Sequence, residues 1–162
     1  MIKISNTKKM GAVFSWSTQA GHPSEGGSCP ASFDDSGNYV DACQGCYARE
    51  GNYRFPNVKN TRLYNMEDWK RKDFTKDMIE YIDLNCRYFR WFDSGDMYNL
   101  KLANKILEIC KATPHCKHWI PTRQYKFPKF NDVIERLNGL PNVVVRLSSD
   151  SVIGHTVKGK NT

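Results

Sequence analysis

A chain of 162 residues is long enough for one domain with a single core, and its 40% hydrophobic and 12% aromatic content predicts a folded protein rather than a disordered one. The net charge of +7 and the pI near 9.1 permit a polyanionic partner such as nucleic acid, although the basic residues are scattered and form no recognition motif. The first ten residues are polar and basic, and no stretch approaches the ~20 apolar residues of a membrane helix. We therefore expect one cytoplasmic domain over residues 1–162, without a membrane partner.

The predicted elements alternate between strands and helices along the chain. Strand-forming residues occupy four segments, at 11–17, 87–92, 118–120 and 142–147. Apolar residues recur at helical spacing in three segments, at 67–84, 100–112 and 130–137. Between the first strand and the first helix lies a region of about 18–50 that carries cysteines; its part from about 19 to 42 is rich in Gly, Pro, Ser and Asp and predicts no regular structure.

This alternation is typical of a parallel sheet with right-handed crossovers. Four β/α steps make about half of an eight-stranded barrel. The predicted fold is therefore α/β, a partial (β/α) barrel of about four parallel strands with the long cysteine-bearing loop after strand one. An open doubly wound sheet is the alternative. In both folds the chemistry lies beyond the carboxyl ends of the strands.

Each predicted strand ends in small or charged polar residues, so that all four groups would lie on one face of the fold. They are Ser15 and Ser17, then Ser94–Gly95–Asp96, then Thr122 and Arg123, and finally Ser148–Ser149–Asp150. The cysteine-bearing loop leaves the first strand from the same face. Turns favour Ser, Gly and Asp on their own account, but four such groups beside three cysteines indicate a functional site.

Cys43 and Cys46 form a Cys-x-x-Cys pair in the stretch DACQGCYA, where we expect Gly45 to let the backbone turn tightly. Zinc sites, iron–sulfur sites and redox dithiols all use such a pair. A second Cys-x-x-Cys that would complete a zinc site is missing from the sequence, and no strand leads directly into the pair as in a thioredoxin-like dithiol. Cys29, in the same loop, favours an iron–sulfur site with three thiolates, with zinc and a redox dithiol as the alternatives.

The other three cysteines lie outside this loop. Cys110 lies on the apolar face of its helix, where a thiol behaves as a small hydrophobic group. Cys86 and Cys116 precede strands, so they belong at the opposite end of the sheet. The fourth ligand of a cluster is therefore open to several interpretations: His22, His155, another cysteine, or a vacant iron that binds a small ligand.

These motifs resemble those of known families. Three cysteines after strand one of a β/α half-barrel, ending in CQGCYA, together with WFDSGDM after strand two, resemble the radical S-adenosylmethionine (SAM) superfamily. More closely, the chain resembles a small family of bacteriophage proteins, the gene product eighty-eight family, in the segments SWS, SCPAS, CQGCYAREGNY, SGD, PTR and RLSSD. This second resemblance covers residues 14–150.

The resemblance implies that Cys29, Cys43 and Cys46 ligate a [4Fe–4S] cluster. The superfamily places its first cysteine four residues before the second, and position 39 here is Tyr39. Cys29 must then take that role, and the loop must fold back to deliver it. In the superfamily such a cluster reduces SAM and cleaves it to an adenosyl radical that abstracts a hydrogen atom.

The resemblance also implies a cosubstrate site. Ser94, Gly95 and Asp96 would face SAM, with Asp96 paired to its amino group. Arg123 could meet a carboxylate as a bidentate fork, and Ser148 with Asp150 could hold ribose hydroxyls or substrate. The implied partners are a small-molecule cosubstrate and a host reductant such as flavodoxin or ferredoxin, in the cytoplasm of an infected cell.

Three hypotheses of different classes follow. The first is a radical SAM-like enzyme, and the second is a non-catalytic [4Fe–4S] protein that transfers electrons or senses redox state. The third is a zinc-stabilised module that binds nucleic acid, which would show salt-dependent affinity.

Overall fold

The computed structural model describes residues 1–7, 11, 13–153 and 157, so His155 lies outside the described residues. The strands are β1 (Ser5–Thr7), β2 (Val13–Trp16), β3 (Tyr88–Trp91), β4 (Lys117–Thr122) and β5 (Val143–Leu147). The α-helices are α1 (Asp41–Gln44), α2 (Pro56–Asp68), α3 (Phe74–Asn85), α4 (Leu100–Ala112) and α5 (Asn131–Asn138). Among these residues no helix is long and apolar enough to cross a bilayer.

The five strands form one sheet in chain order, from β1 to β5. β2, β3, β4 and β5 are parallel, as predicted, whereas β1 pairs with β2 in the antiparallel direction. The α/β class is therefore confirmed, but the predicted count of four strands was one too low. β1 escaped prediction because its three residues, Ser-Asn-Thr, are all polar and show no apolar alternation.

The serial strand order distinguishes this sheet from a doubly wound one, in which the order reverses at a switch point. In the described part of the chain the sheet is open, with β1 and β5 as its two edges. Closure into a barrel is not seen there. The sheet therefore has the strand order of a (β/α) barrel segment without its closure.

One face of the sheet is covered by α3, α4 and α5, whose apolar residues join the core with Trp16, Phe89 and Trp91. Phe74, Met78 and Ile82 of α3 are fully buried, as their spacing predicted. α4 occupies the predicted range and buries the predicted stripe, which includes Ala103, Ile106, Leu107 and Cys110. Burial of these stripes anchors the helix layer to the sheet.

The helix predicted at 67–84 begins only at Phe74, because Glu67 and Asp68 belong to the end of α2 and residues 69–73 form the turn between the two helices. α2 itself was not predicted, since it has no apolar stripe. The side chains that it buries are polar, namely Arg62, Asn65 and Asp68. The Asn65 amide donates to the carbonyl of Ser17 at 2.9 Å and to that of Lys3 at 3.2 Å, which holds α2 beside β1 and β2. Hydrogen bonds rather than hydrophobic periodicity place this helix.

Candidate functional site

A cavity of about 280 Å³ lies at the carboxyl edge of the parallel strands. The cysteine loop and the loops after β3, β4 and β5 all contribute to it. The predicted site residues that line it are Cys29, Cys43, Cys46, Ser94, Gly95, Asp96, Arg123 and Ser148. Asp150 is not among the lining residues, but it pairs with Arg123, which is. Ser15 and Ser17 are buried but do not line the cavity.

The cysteine loop folds back on itself and thereby brings Cys29 to the cavity. The Cys29 N–H donates to the carbonyl of Gly21 at 2.9 Å, and the Ser32 hydroxyl donates to the Cys29 carbonyl at 2.6 Å. The Thr18 hydroxyl lies 2.7 Å from that of Ser28. Apart from short 3₁₀ turns at Pro23–Glu25 and Pro30–Ser32, the loop is irregular up to α1, close to the prediction. The fold-back required by the position of Cys29 is present.

Cys43 lies in α1, a single helical turn, and Cys46 follows it at the start of the next 3₁₀ turn. Gly45, between them, has a φ of −100°, and a Cβ atom there would meet nothing within 4 Å. Neither the backbone conformation nor the space at this position therefore requires glycine. The N–H of Ala42 donates to the Asp150 carbonyl at 2.8 Å, so the chain after β5 helps to position the Cys-x-x-Cys turn.

Burial raises the pKa of two of the thiols, those of Cys29 and Cys43. Removal from water and, to a smaller extent, the nearby carboxyl of Asp96 together raise the pKa of Cys29 to about 12. Burial also raises the pKa of Cys43, while the guanidinium of Arg123 acts in the opposite direction. Cys29 is therefore a neutral thiol near pH 7, and a metal that binds it must displace its proton.

Whether the cysteines and their neighbours suit a metal depends on whether that metal is a single ion or a cluster. Within the described residues, no three His, Cys, Asp or Glu side chains form a group that could hold a single metal ion. A [4Fe–4S] cluster differs from a single ion because each thiolate binds a different iron. Small side chains line the cavity beside the thiols, namely Ala20, Ala31, Ala42 and Ala48.

Ser94 and Gly95 join the loop after β3 to the cysteine loop. The Ser94 hydroxyl donates to the Thr18 carbonyl at 2.8 Å, and the Thr18 N–H donates to the Ser94 carbonyl at 3.0 Å. Gly95 has a φ of +83°, and a Cβ atom there would lie 2.1 Å from Thr18 Oγ1 and 2.5 Å from Ser28 Oγ. Glycine is needed here both for its backbone conformation and for the close approach.

Asp96 is buried behind these residues, and its carboxyl group is held by its own chain. Oδ1 accepts from the Thr122 hydroxyl at 2.6 Å and from the Met97 N–H at 2.7 Å, while Oδ2 accepts from the Arg123 N–H at 3.0 Å. Burial raises the pKa of Asp96, and these hydrogen bonds partly offset the rise. Asp96 therefore connects the loops after β3 and β4.

Arg123 and Asp150 connect the loops after β4 and β5. Arg123 donates to the Ser149 carbonyl through Nη2 at 2.6 Å and through Nε at 3.2 Å. Its Nε also lies 3.3 Å from Asp150 Oδ1, and Lys126 pairs with the same carboxylate. The Ser148 carbonyl accepts from Tyr125 at 3.0 Å. The guanidinium fork is thus engaged within the chain, beside Cys43.

A second polar group at the cavity was not predicted as a site. Asp93 accepts from the Tyr53 hydroxyl at 2.6 Å and pairs with Arg90 at 2.8 Å, while its carbonyl accepts from Tyr47 at 2.7 Å. Burial and, after it, the hydrogen bond to Asp93 raise the pKa of Tyr53 well above its usual range. The segments CQGCYAREGNY and WFDSGDM contain three of these residues, so the signal was present in the sequence.

Phe92 is a feature without any sequence signal. It is a bulky residue with a φ of +61°, and it is only 2% exposed. Its ring packs against Trp16 at a centroid distance of 5.8 Å, and its N–H donates to the Trp16 carbonyl at 2.8 Å. A left-handed conformation at such a residue costs energy and often marks a functional segment. Phe92 turns the chain directly into Asp93–Asp96.

The remaining candidate ligands lie away from the cavity lining. His22 stacks on Phe33 at 3.9 Å, and its Nδ1 caps the turn that begins at Pro23. Cys86, Cys110 and Cys116 are buried in the hydrophobic core, as predicted for Cys110, and none of them lines the cavity.

The fold and the site together define a mostly parallel α/β protein with three cysteines in a cavity at the carboxyl edge of its sheet. The chain belongs to the Gene product 88 family of phage proteins, whose profile matches residues 2–162. The closer of the two resemblances is thereby confirmed, while the wider one to radical SAM enzymes stays a prediction. No curated protein and no solved structure matches the chain significantly.

Proposed function

We propose that this protein binds a [4Fe–4S] cluster through Cys29, Cys43 and Cys46 and acts as a radical SAM-like enzyme in the cytoplasm of the infected host cell. The observation that carries the proposal is the convergence of these three thiols with Ser94–Asp96, Arg123 and Ser148 in one cavity. Cys29 is fourteen positions before Cys43, so its presence there depends on the fold of the loop rather than on local spacing.

The residues at the cavity fit such a group. Three thiols supply the soft ligands that iron–sulfur clusters require. The four alanines that line the cavity leave room for a group larger than a side chain. The serial parallel sheet adds support, because it places the site where (β/α) barrels carry theirs.

The protein's own residues would bind and orient the cosubstrate, while a reduced cluster supplies the electron. Asp96 presents a buried carboxyl group to a cationic amine, and its three hydrogen bonds fix the orientation of that group. Arg123 would donate hydrogen bonds to a carboxylate from the side of its guanidinium opposite Ser149. Ser148, on the last strand-end loop, would bind a hydroxyl.

A second candidate function is a non-catalytic [4Fe–4S] protein that transfers electrons or senses redox state. Two observations favour it. Both carboxylate oxygens of Asp96 already accept bonds from the chain, and two nitrogens of Arg123 are already engaged by Ser149 and Asp150. A cosubstrate would have to share or replace these bonds.

The test is anaerobic purification and reconstitution, followed by iron and sulfide analysis and EPR of the reduced protein with and without SAM. Four irons per chain with a spectrum that shifts on adding SAM would support the enzyme. Four irons with an unchanged spectrum would support electron transfer or sensing. Zinc in place of iron, or a colourless protein with no iron after reconstitution, would overturn both.

A further inference from the structure

The sheet has a second face that α3, α4 and α5 do not cover. Residues paired across neighbouring strands point to the same face, and the face alternates along each strand. Phe89 and His118 pair and face the helices, so the pairs on either side of them face away: Tyr88 with Lys117, and Arg90 with Trp119. Trp119 pairs in turn with Val144, and Pro121 with Arg146. We call the surface of Tyr88, Arg90, Lys117, Trp119, Val144 and Arg146 the open face.

The open face is accessible and contains a groove. Tyr88 on β3 is 52% exposed and Val144 on β5 is 48% exposed, so large side chains meet solvent on both sides of β4. Lys117 and Arg146 are exposed as well. A groove of about 340 Å³ runs across this surface and is lined by Tyr88, Arg90, Trp119 and Val144 among others. Such a surface favours the binding of a ligand that is partly apolar.

The charge of the open face has one sign. None of the five strands contains Asp or Glu, so no carboxylate projects from the sheet itself. Lys117, Arg90 and Arg146 place cations in three successive rows of the face. Among these strand cations, Arg90 forms an ion pair with Asp93 at 2.8 Å. The surface therefore attracts a polyanion.

Aromatic rings accompany these cations. Of the four tryptophans, Trp16, Trp69 and Trp91 are at most 5% exposed, which leaves Trp119 as the partly accessible one. The guanidinium of Arg90 lies over the Trp119 ring, 4.7 Å from its centroid, and so covers one face of the ring. A nucleic-acid base would stack on the opposite face of the ring or on the guanidinium plane itself.

We propose that the open face binds single-stranded nucleic acid, with bases stacked on Trp119 and Tyr88 and phosphates close to Lys117 and Arg146. Cations beside exposed aromatic rings match the two requirements of such binding, which are backbone attraction and base stacking. Duplex DNA meets only the first requirement, because its bases are already stacked on one another. A single strand is therefore the favoured ligand.

The open face is continuous with the cysteine cavity, because Arg90 lines both. A strand on this face therefore lies next to the mouth of the cavity. The binding itself does not depend on the cluster, since no cysteine belongs to the open face. Failure of the cluster proposal would thus leave this proposal intact, and the reverse also holds.

The test is fluorescence anisotropy with labelled 20-nucleotide oligonucleotides of mixed sequence, as single-stranded DNA, single-stranded RNA and duplex DNA. We expect single strands to bind more tightly than duplex and to quench the tryptophan emission. The affinity should fall with salt, with a slope of roughly −1.4 in log–log form for the two cations, Lys117 and Arg146, that contact phosphates. Duplex binding as tight as that of either single strand, or no binding at low salt, would overturn the proposal.

Two variants locate the site. Trp119→Ala should weaken binding about tenfold, the loss of one stacked base. The double variant Lys117→Glu/Arg146→Glu changes exposed side chains, so the fold tolerates it, and it should weaken binding more and flatten the salt slope. Its matched control is Lys76→Glu/Lys111→Glu, which changes the net charge equally on the helices of the other face. Equal losses in both double variants would show a general charge effect and refute the site.

Discussion

Gly95 and Thr18 are in such close contact that a Cβ atom on Gly95 would lie 2.1 Å from the Thr18 hydroxyl oxygen. Two backbone-directed hydrogen bonds between Ser94 and Thr18 hold the same two loops together. The Ser-Gly-Asp segment therefore determines how the cysteine loop sits on the sheet. Its glycine has a packing role in addition to any contact with a cosubstrate.

Replacing Gly95 by alanine should destabilise the protein by about 2–4 kcal/mol, because the positive φ costs about 1–2 kcal/mol and the clash adds to it. Gly37→Ala is the matched control: Gly37 also has a φ of +80°, but a Cβ atom there meets nothing within 4 Å. Urea denaturation measures both. If the two variants lose the same stability, the close contact with Thr18 contributes nothing.

Replacing Asp96 by asparagine should cost about 1–3 kcal/mol, because the amide NH₂ would face one of the three donors that now bond to the carboxyl group. Asp132→Asn, on the exposed surface of α5, removes a carboxylate whose side chain is 80% exposed and should be nearly neutral. The free energy of unfolding of both variants can be measured by chemical denaturation. Equal effects would mean that the Asp96 hydrogen bonds do not hold the loops.

His118 should make the protein sensitive to acid. The Trp91 indole donates to its Nδ1 at 3.2 Å, so Nε2 carries the proton and donates to Thr113 Oγ1 at 2.9 Å. Burial lowers the pKa of His118 from 6.5 to about 4. Between these pH values the unfolded chain binds a proton that the native state does not, so stability present above pH 6.5 is lost as the pH falls towards 4.

The expected loss from this one group is on the order of 3 kcal/mol. It can be measured as the free energy of unfolding at intervals between pH 7 and pH 4. His118→Gln should show a flatter dependence in this window, since the titrating group is gone. His115→Gln, at an exposed histidine, controls for the loss of an imidazole. An unchanged slope in His118→Gln would contradict the assignment.

Cysteine variants should separate ligands from packing residues. Cys29→Ala, Cys43→Ala and Cys46→Ala should each abolish the cluster, because three thiolates hold it under the proposed function. Cys110→Ala should keep full iron content, since Cys110 is buried in the core away from the cavity. Iron analysis after anaerobic reconstitution provides the comparison. A Cys43→Ala protein with full iron would refute the ligand assignment.

The sequence predicted the elements whose formation depends on apolar patterns. α4 was predicted from Leu100 to Ala112, the range it has, because its buried stripe recurs at helical spacing. α2 could not be found in this way, since Arg62, Asn65 and Asp68 are its buried residues and their partners lie in distant parts of the chain. β1 is held by pairing with β2, which leaves no local signature.

The same contrast applies to the candidate site. The residues at the strand ends could be placed together because parallel strands bring their carboxyl ends to one edge. The hydrogen-bond partner of each side chain could not be predicted from the sequence. Arg123 donates to the Ser149 carbonyl, and Asp93 accepts from the hydroxyl of Tyr53, which lies forty residues away in the chain. The strained backbone of Phe92 has no compositional cue at all, since a phenylalanine normally avoids that conformation.

The serial order of the strands has a consequence for the order of folding. Phe89 pairs with His118, and His118 pairs with Val143, so each of these partners is fewer than thirty positions away. Phe14, however, pairs with Phe89, seventy-five positions later. Because closing a longer loop costs more entropy, we expect the unit from β3 to β5 to form first. The thiol-bearing loop would then close last, over a scaffold already in place to receive a cofactor.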